Sequence, residues 1–194
     1  MNFLAHIYLS GENADIQIGN FIADAVKGNQ IEQYNLFVQK GIRLHRAIDA
    51  FTDQHPIFQQ STERLRKSQD KYAPVAVDIF YDHFLAKNWQ RYHHESLFTF
   101  TQTFYQKISQ ASNLPEKIQK LLPYMISQNW LYNYQKISAI QKVFEGMSRR
   151  TKFASNLLEA PKVLEEHYNH FQQDFEKFFP ELVGFAEKWL EKDL

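Results

Sequence analysis

Histidine and aspartate crowd the first half of the chain, at His6, Asp24, His45, Asp49, Asp53, His55, Asp78, Asp82 and His83, while the later histidines are scattered. Imidazole and carboxylate together suit hard divalent ions, which can polarise an oxygen and acidify bound water. Within residues 41–53, His45, Asp49 and Asp53 recur at intervals of four. Each such step turns about 40° around a helix, so the three share one broad polar face. Arg46 lies three residues before Asp49 and seven before Asp53, within reach of either carboxylate. A solvated ladder of ion pairs would give the same stripe without any chemistry.

Residues 75–85 are harder to read that way, because Asp78 and Asp82 interrupt an otherwise apolar helix. Carboxylates are seldom buried without compensation. Asp78 and Asp82 stand one turn apart on one face, and the adjacent pair Asp82-His83 offers a carboxylate and an imidazole that could flank a single metal ion. An ion pair to Arg43 or Arg46 would compensate the acids equally well. His6 ends the apolar opening Asn2-Phe3-Leu4-Ala5 and by itself reads as a hydrogen-bonded core histidine. His55 precedes Pro56 and reads as a turn residue.

Helices must position these groups. Gly and Pro number 6 each in 194 residues, too sparse for a sandwich or barrel, and apolar residues recur at spacings of three and four. The pattern predicts helices over residues 16–26 and 31–51, separated at Lys27-Gly28-Asn29, where glycine can take the positive φ of a helix stop. After the His55-Pro56 interruption, helices are expected over 56–68, 74–89, 95–109, 115–134, 137–147 and 153–179. Pro180 is expected to close the last of these before a short tail helix. The 17 Phe and 10 Tyr at helical spacings fit core packing. The expected fold is therefore all-α, a single-domain helical bundle over residues 1–194.

Composition excludes several classes. A hydrophobic share of 44% and a charged share of 23% argue against extended disorder, collagen and coiled coils. Lys plus Arg and Asp plus Glu both total 22, so the formal net charge of +0 gives little field for gathering nucleic acid. Any charged partner must meet a local patch. With 0 Cys, disulfides, zinc-thiolate sites and thiol nucleophiles are impossible, which leaves His, Asp and Glu as metal ligands. Residues 1–10 are too short and too mixed for a signal peptide, and no apolar run approaches the roughly 20 residues that span a bilayer. A cytoplasmic location without membrane contact is expected.

Met1-Asn2-Phe3-Leu4-Ala5-His6, Gly19-Asn20 with Asp24 and Gly28, Gly41-Ile42 followed by His45-Arg46, Ile48-Asp49 and Thr52-Asp53, Asp78 with Asp82-His83-Phe84, and later Gly146-Met147 together resemble the bacterial acyl carrier protein phosphodiesterases. The resemblance spans nearly the whole chain and loosens after about Trp89. That family is similar in turn to the HD phosphohydrolases, which implies an HD-phosphohydrolase-like bundle, although the order here is Asp82-His83 rather than His-Asp. The resemblance implies hydrolysis of the phosphodiester joining phosphopantetheine to a serine of holo acyl carrier protein. The products would be apo acyl carrier protein and free phosphopantetheine, and the cofactor a divalent metal, Mn2+ or a similar ion, in the lipid metabolism of fatty acid biosynthesis.

On that resemblance, His6, Asp24, His45, Asp82 and His83 form the pool from which metal ligands are drawn. Asp49, Asp53 and Asp78 would orient those ligands or act as a general base, and Arg46 would clamp developing phosphoryl charge. No side-chain nucleophile is required. The carrier, a strongly acidic partner by the same resemblance, would dock on a local basic run, with Arg149, Arg150 and Lys152 the preferred one. Two other readings stay open. One is an HD-like phosphohydrolase acting on a nucleotide or another small phosphorylated molecule, and the other a non-catalytic helical interaction module.

Overall fold

The computed structural model describes residues 2–149 and 156–192. Among the described residues the chain forms eleven α-helices, a few short 3-10 turns and no strand. The chain opens with α1 (Phe3–Tyr8), α2 (Ala14–Ile22), α3 (Leu36–Gln54), α4 (Pro56–Gln69) and α5 (Ala73–Lys87). It continues through α6 (Leu97–Ser109), α7 (Glu116–Ser127), α8 (Trp130–Asn133) and α9 (Ile137–Ser148) to α10 (Ala160–Glu166) and α11 (Tyr168–Leu190).

Local chemistry sets most boundaries. Asn13, Asn35 and Ser96 turn their side-chain oxygens onto the exposed N–H groups that begin α2, α3 and α6. His55 does the same for α4, where its ring nitrogen accepts the N–H of Ile57, and Pro56 and Pro74 occupy first turns that need no donor. The second helix of the sequence pattern begins later than its apolar spacing suggests. Residues Gly28–Gln33 form a 3-10 turn, Tyr34 is extended, and the Asn35 cap delays α3 to Leu36. The stretch 115–134 is two helices rather than one, because Asn129 takes a left-handed φ of 46° and turns the chain between α7 and α8. The stretch 153–179 also divides. Residues 153–155 lie outside the described residues, and His167 separates α10 from α11.

Pro180 does not close a helix but lies inside α11. A proline in mid-helix forfeits one backbone hydrogen bond. Here its ring sits on the exposed face, while Leu182 and Ala186 beyond it are buried, so continued packing outweighs the lost bond.

The core is one contiguous cluster, and α5 runs through it with Val77, Phe80, Tyr81, Phe84 and Leu85 wholly buried. Phe171, Phe175 and Phe178 of α11 pack against that helix edge to face or tilted. Each such side chain contributes about 1.5–3 kcal/mol by leaving water. Arg64 and Asp174 make a 2.6 Å ion pair, and Ser61 Oγ donates to the same carboxylate at 2.7 Å, tying α4 to α11. No helix among the described residues is long and apolar enough to cross a membrane.

Helices α2 and α3 cross at unusually short range. A Cβ on Gly19 would lie 2.1 Å from the Val38 carbonyl oxygen, and one on Gly41 would lie 2.2 Å from that of Ile16. Only two glycines let these backbones touch.

Candidate metal centre

The crossing of α2 and α3 sets Asn20 of one helix against His45 of the other. His45 Nδ1 lies 2.9 Å from the Asn20 backbone oxygen and 3.1 Å from Asn20 Oδ1. A carbonyl can only accept, so the Nδ1 position carries a proton and Nε2 points the other way. Nε2 meets Asp24 Oδ1 at 3.3 Å and Asp49 Oδ2 at 3.2 Å. Asp24 comes from the 3-10 turn Ala23–Ala25 that succeeds α2, and Asp49 stands one helical turn beyond His45. The other Asp49 oxygen lies 3.3 Å from His6 Nε2 of α1. The His6 and His45 rings stack at 4.0 Å with 19° between their planes. Asn20 Nδ2 also donates to the His6 carbonyl and to Ser10 Oγ, both at 2.9 Å, so one amide secures both imidazole-bearing helices.

The charges are set by these contacts. Burial and the neighbouring His45 bring His6 down to about 4, which leaves it neutral at ordinary pH. Burial works against charge on His45 too, but the Asp24 and Asp49 carboxylates prevail and raise it to about 9. Burial would raise Asp49, yet its hydrogen bonds to His45 and His6 hold it well below the usual carboxylate range. The hydrogen bond to His45 lowers Asp24 as well. Two carboxylates therefore converge on protonated His45, which supplies a compensating charge. His6, His45 and Asp49 each offer a ligand atom, all within 4.8 Å of one another. A divalent ion fits this donor set, and it would replace the His45 proton.

The expected pool of ligands is only partly gathered here. Asp82 is wholly buried, and its two oxygens accept the N–H groups of Leu4, at 2.8 Å, and Ala5, at 3.1 Å. Burial pushes its carboxyl up to about 7 against the pull of those two donors. It caps α1, whose own N-cap residue Asn2 makes no side-chain cap bond. His83 Nδ1 lies 2.8 Å from the Tyr134 carbonyl oxygen and Nε2 2.9 Å from the Tyr168 hydroxyl, so both ring nitrogens are engaged away from the cluster. Conversely Asp49, expected to support the ligands, bridges the Nε2 atoms of the two stacked imidazoles. Arg46 is exposed, and its guanidinium approaches the Val26 carbonyl at 3.5 Å rather than a carboxylate of the cluster.

A cleft of about 810 Å³ opens beside the cluster. Asp24, His45, Asp49, Asp53 and Asp78 contribute acids and an imidazole to its lining, and Ile79, Leu121, Trp130, Val143 and Met147 contribute apolar surface. Burial raises the Asp78 carboxyl, and the charges of Asp49 and Asp53 add to that rise. Lys71 and Lys117 supply the cations of the lining. Neither lysine belongs to the His and Asp motifs that stand out in the sequence. Asn20 belongs to a recognisable motif, but its decisive group is a backbone oxygen that residue type does not reveal.

Two imidazoles and two carboxylates beside a cleft in an all-helical protein suit a metal-assisted hydrolase. A family model described as acyl carrier protein phosphodiesterase matches residues 1–182. The chain is 35% identical to the acyl carrier protein phosphodiesterase of Photorhabdus laumondii, with 96% of each chain covered. It is 32% identical to the protein of that name from Klebsiella pneumoniae (strain 342), covering 96% of this chain and 98% of the relative. To the one from Enterobacter sp. (strain 638) it is 31% identical, with 94% and 96% covered. The chain belongs to the acyl carrier protein phosphodiesterase family. No solved structure matches it.

Proposed function

We propose that this chain hydrolyses the phosphodiester linking phosphopantetheine to a serine of holo acyl carrier protein, acting in the cytoplasm. The observation that carries the reading is the His6, His45 and Asp49 cluster beside a cleft, in a chain that belongs to this family. His6, His45 and Asp49 would hold the ion, with Asp24 beside them. A divalent ion, manganese or one of similar chemistry, would supply the charge that polarises the phosphoryl oxygen and acidifies water.

The remaining work falls to the chain itself. Asn20 keeps the His45 proton on Nδ1 and so keeps Nε2 directed at the site. Asp78 is suited to carry a proton to the departing serine oxygen, because its carboxyl is raised and it lines the cleft. Asp53, exposed in the same lining, is suited to receive one. Lys71 and Lys117 are better placed than Arg46 to meet the negative phosphodiester. The carrier would dock beyond α9, where exposed Arg149 comes two positions after the cleft residue Met147. Arg150 and Lys152, the rest of that run, lie outside the described residues. Neither nucleic acid nor a membrane is proposed as a partner.

The test is to incubate purified protein with holo acyl carrier protein and follow the carrier by mass spectrometry, with and without a chelator. Loss of the phosphopantetheine mass, suppressed by chelation, is expected. A protein that leaves the carrier intact while hydrolysing free nucleotides would belong to the small-molecule reading instead.

A further inference from the structure

Behind one wall of the cleft lies a second cavity, of about 490 Å³. Trp130, Tyr134 and Val143 line both spaces, so these three side chains form a partition between them. The partition is built rather than incidental. Asn129 takes its left-handed turn immediately before Trp130. The Trp130 indole N–H then donates to Gln128 Oε1 at 3.1 Å, fixing the ring's edge. Tyr134 is buried, its hydroxyl faces Asn2 Nδ2 at 3.4 Å, and its carbonyl oxygen receives the His83 bond. His83, which the metal cluster does not use, thus braces the partition from the core side.

The two spaces differ in chemistry. The cleft lining holds several acids and the His45 imidazole, whereas the lining of the second cavity has no carboxylate among the described residues. It offers the Asn133 amide, the Ser138 hydroxyl and the Lys136 and Lys142 ammoniums beside the apolar Ala139 and Val143. A lining rich in donors, interspersed with methyl groups, fits a chain whose amide and hydroxyl oxygens accept hydrogen bonds. The pantetheine arm has that composition, with a gem-dimethyl group, a hydroxyl, two secondary amides and no charge.

We propose that this second cavity is the subsite that receives the pantetheine arm, which crosses the rim of the Trp130, Tyr134 and Val143 partition to bring the phosphodiester to the metal cluster. The inference rests on the proposed function, since it needs a phosphopantetheine substrate. Contacts to an arm remote from phosphorus then hold the reacting end against the cluster.

Two variants fill the cavity from α9. Ser138→Trp changes an exposed position and leaves the core alone, and Ala139→Phe fills the half-buried floor. Each is compared with the unaltered protein on holo acyl carrier protein and on bis(p-nitrophenyl) phosphate, a diester with no arm. The preference for the holo-carrier over the small diester, as a ratio of kcat/KM values, should fall by about tenfold or more. A general folding defect lowers both activities and leaves that ratio alone, so an unchanged ratio in both variants overturns the inference. A fall seen only with carriers that bear a long acyl chain would make the cavity an acyl site and overturn the assignment to the arm. An unaltered protein inert toward the holo-carrier removes the proposed function first, and the inference with it.

Discussion

Asp82 Oδ2 accepts the backbone N–H of Leu4 at 2.8 Å across 78 residues of sequence. Helix α1 has only six residues, too few to be stable alone, and the core supplies the cap that Asn2 does not. The position of His6, three residues into that helix, therefore depends on a side chain that does not touch the cluster.

Replacing Asp82 by Ala leaves the buried N–H groups of Leu4 and Ala5 without acceptors, which costs about 1–3 kcal/mol for each unsatisfied group. Thermal unfolding followed by circular dichroism should show a lower Tm, with weakened divalent-ion binding because His6 loses its place. Loss of bound metal at unchanged Tm would instead identify Asp82 as a ligand.

The same carboxyl sets a pH trend. Its pKa is about 7 in the folded chain against an ordinary 3.8, so ionising it disfavours the folded form. The stability it contributes is fully present below pH 3.8 and is lost as pH rises through about 7. Asp82→Asn should remove that component. The stability difference between the two proteins, measured by urea unfolding, should change across this window. A constant difference from about pH 4 to 8 would show that the group does not titrate there.

His6→Ala, His45→Ala and Asp49→Ala should each lower bound divalent metal and reduce turnover by on the order of 100-fold or more, read by elemental analysis and initial rates. Asn20→Ala should be milder, about 10–100-fold, because it only orients His45. Metal titration near neutral pH should release a proton as the ion displaces the one on His45 Nε2. Full metal content in all three alanine variants would place the ion elsewhere.

Gly19→Ala or Gly41→Ala puts a methyl group against rigid backbone rather than a flexible side chain. Stability should fall by about 1–3 kcal/mol or more as α2 and α3 separate. Activity should fall further than stability alone explains, since separation breaks the Asn20 to His45 contact. A variant with native Tm and native rate would mean the crossing tolerates a Cβ.

Reversing Arg149 and Arg150 to Glu should raise KM for the carrier at low salt and flatten its dependence on ionic strength. An unaltered KM would locate docking on another face.

The helical architecture was legible because apolar spacing, prolines and Asn or Ser caps all agree along most of the chain. The pairing of His45 with Asp49 was legible for the same reason, since a spacing of four keeps both on one face. Asp82 and His83 are a different case. Neighbouring residues on a helix point about 100° apart, and here the two side chains find partners on different elements. One turns to α1 and the other to Tyr134 and Tyr168. The approach of His6 and the role of the Asn20 carbonyl depend on how three helices cross, which no local spacing encodes. Pro180 reads as a stop because burial of Leu182 and Ala186 beyond it becomes visible only once α11 is packed.

Asn2 and Phe3 line the cleft, and the cap from Asp82 grips the chain immediately after them. A segment joined ahead of Asn2 would begin at the wall of this cleft. A histidine-rich one would bring further imidazoles beside the His6, His45 and Asp49 cluster and compete with it for divalent ions. The described chain ends on an exposed stretch after α11, so a segment joined at that end is the safer choice for metal analysis and kinetics.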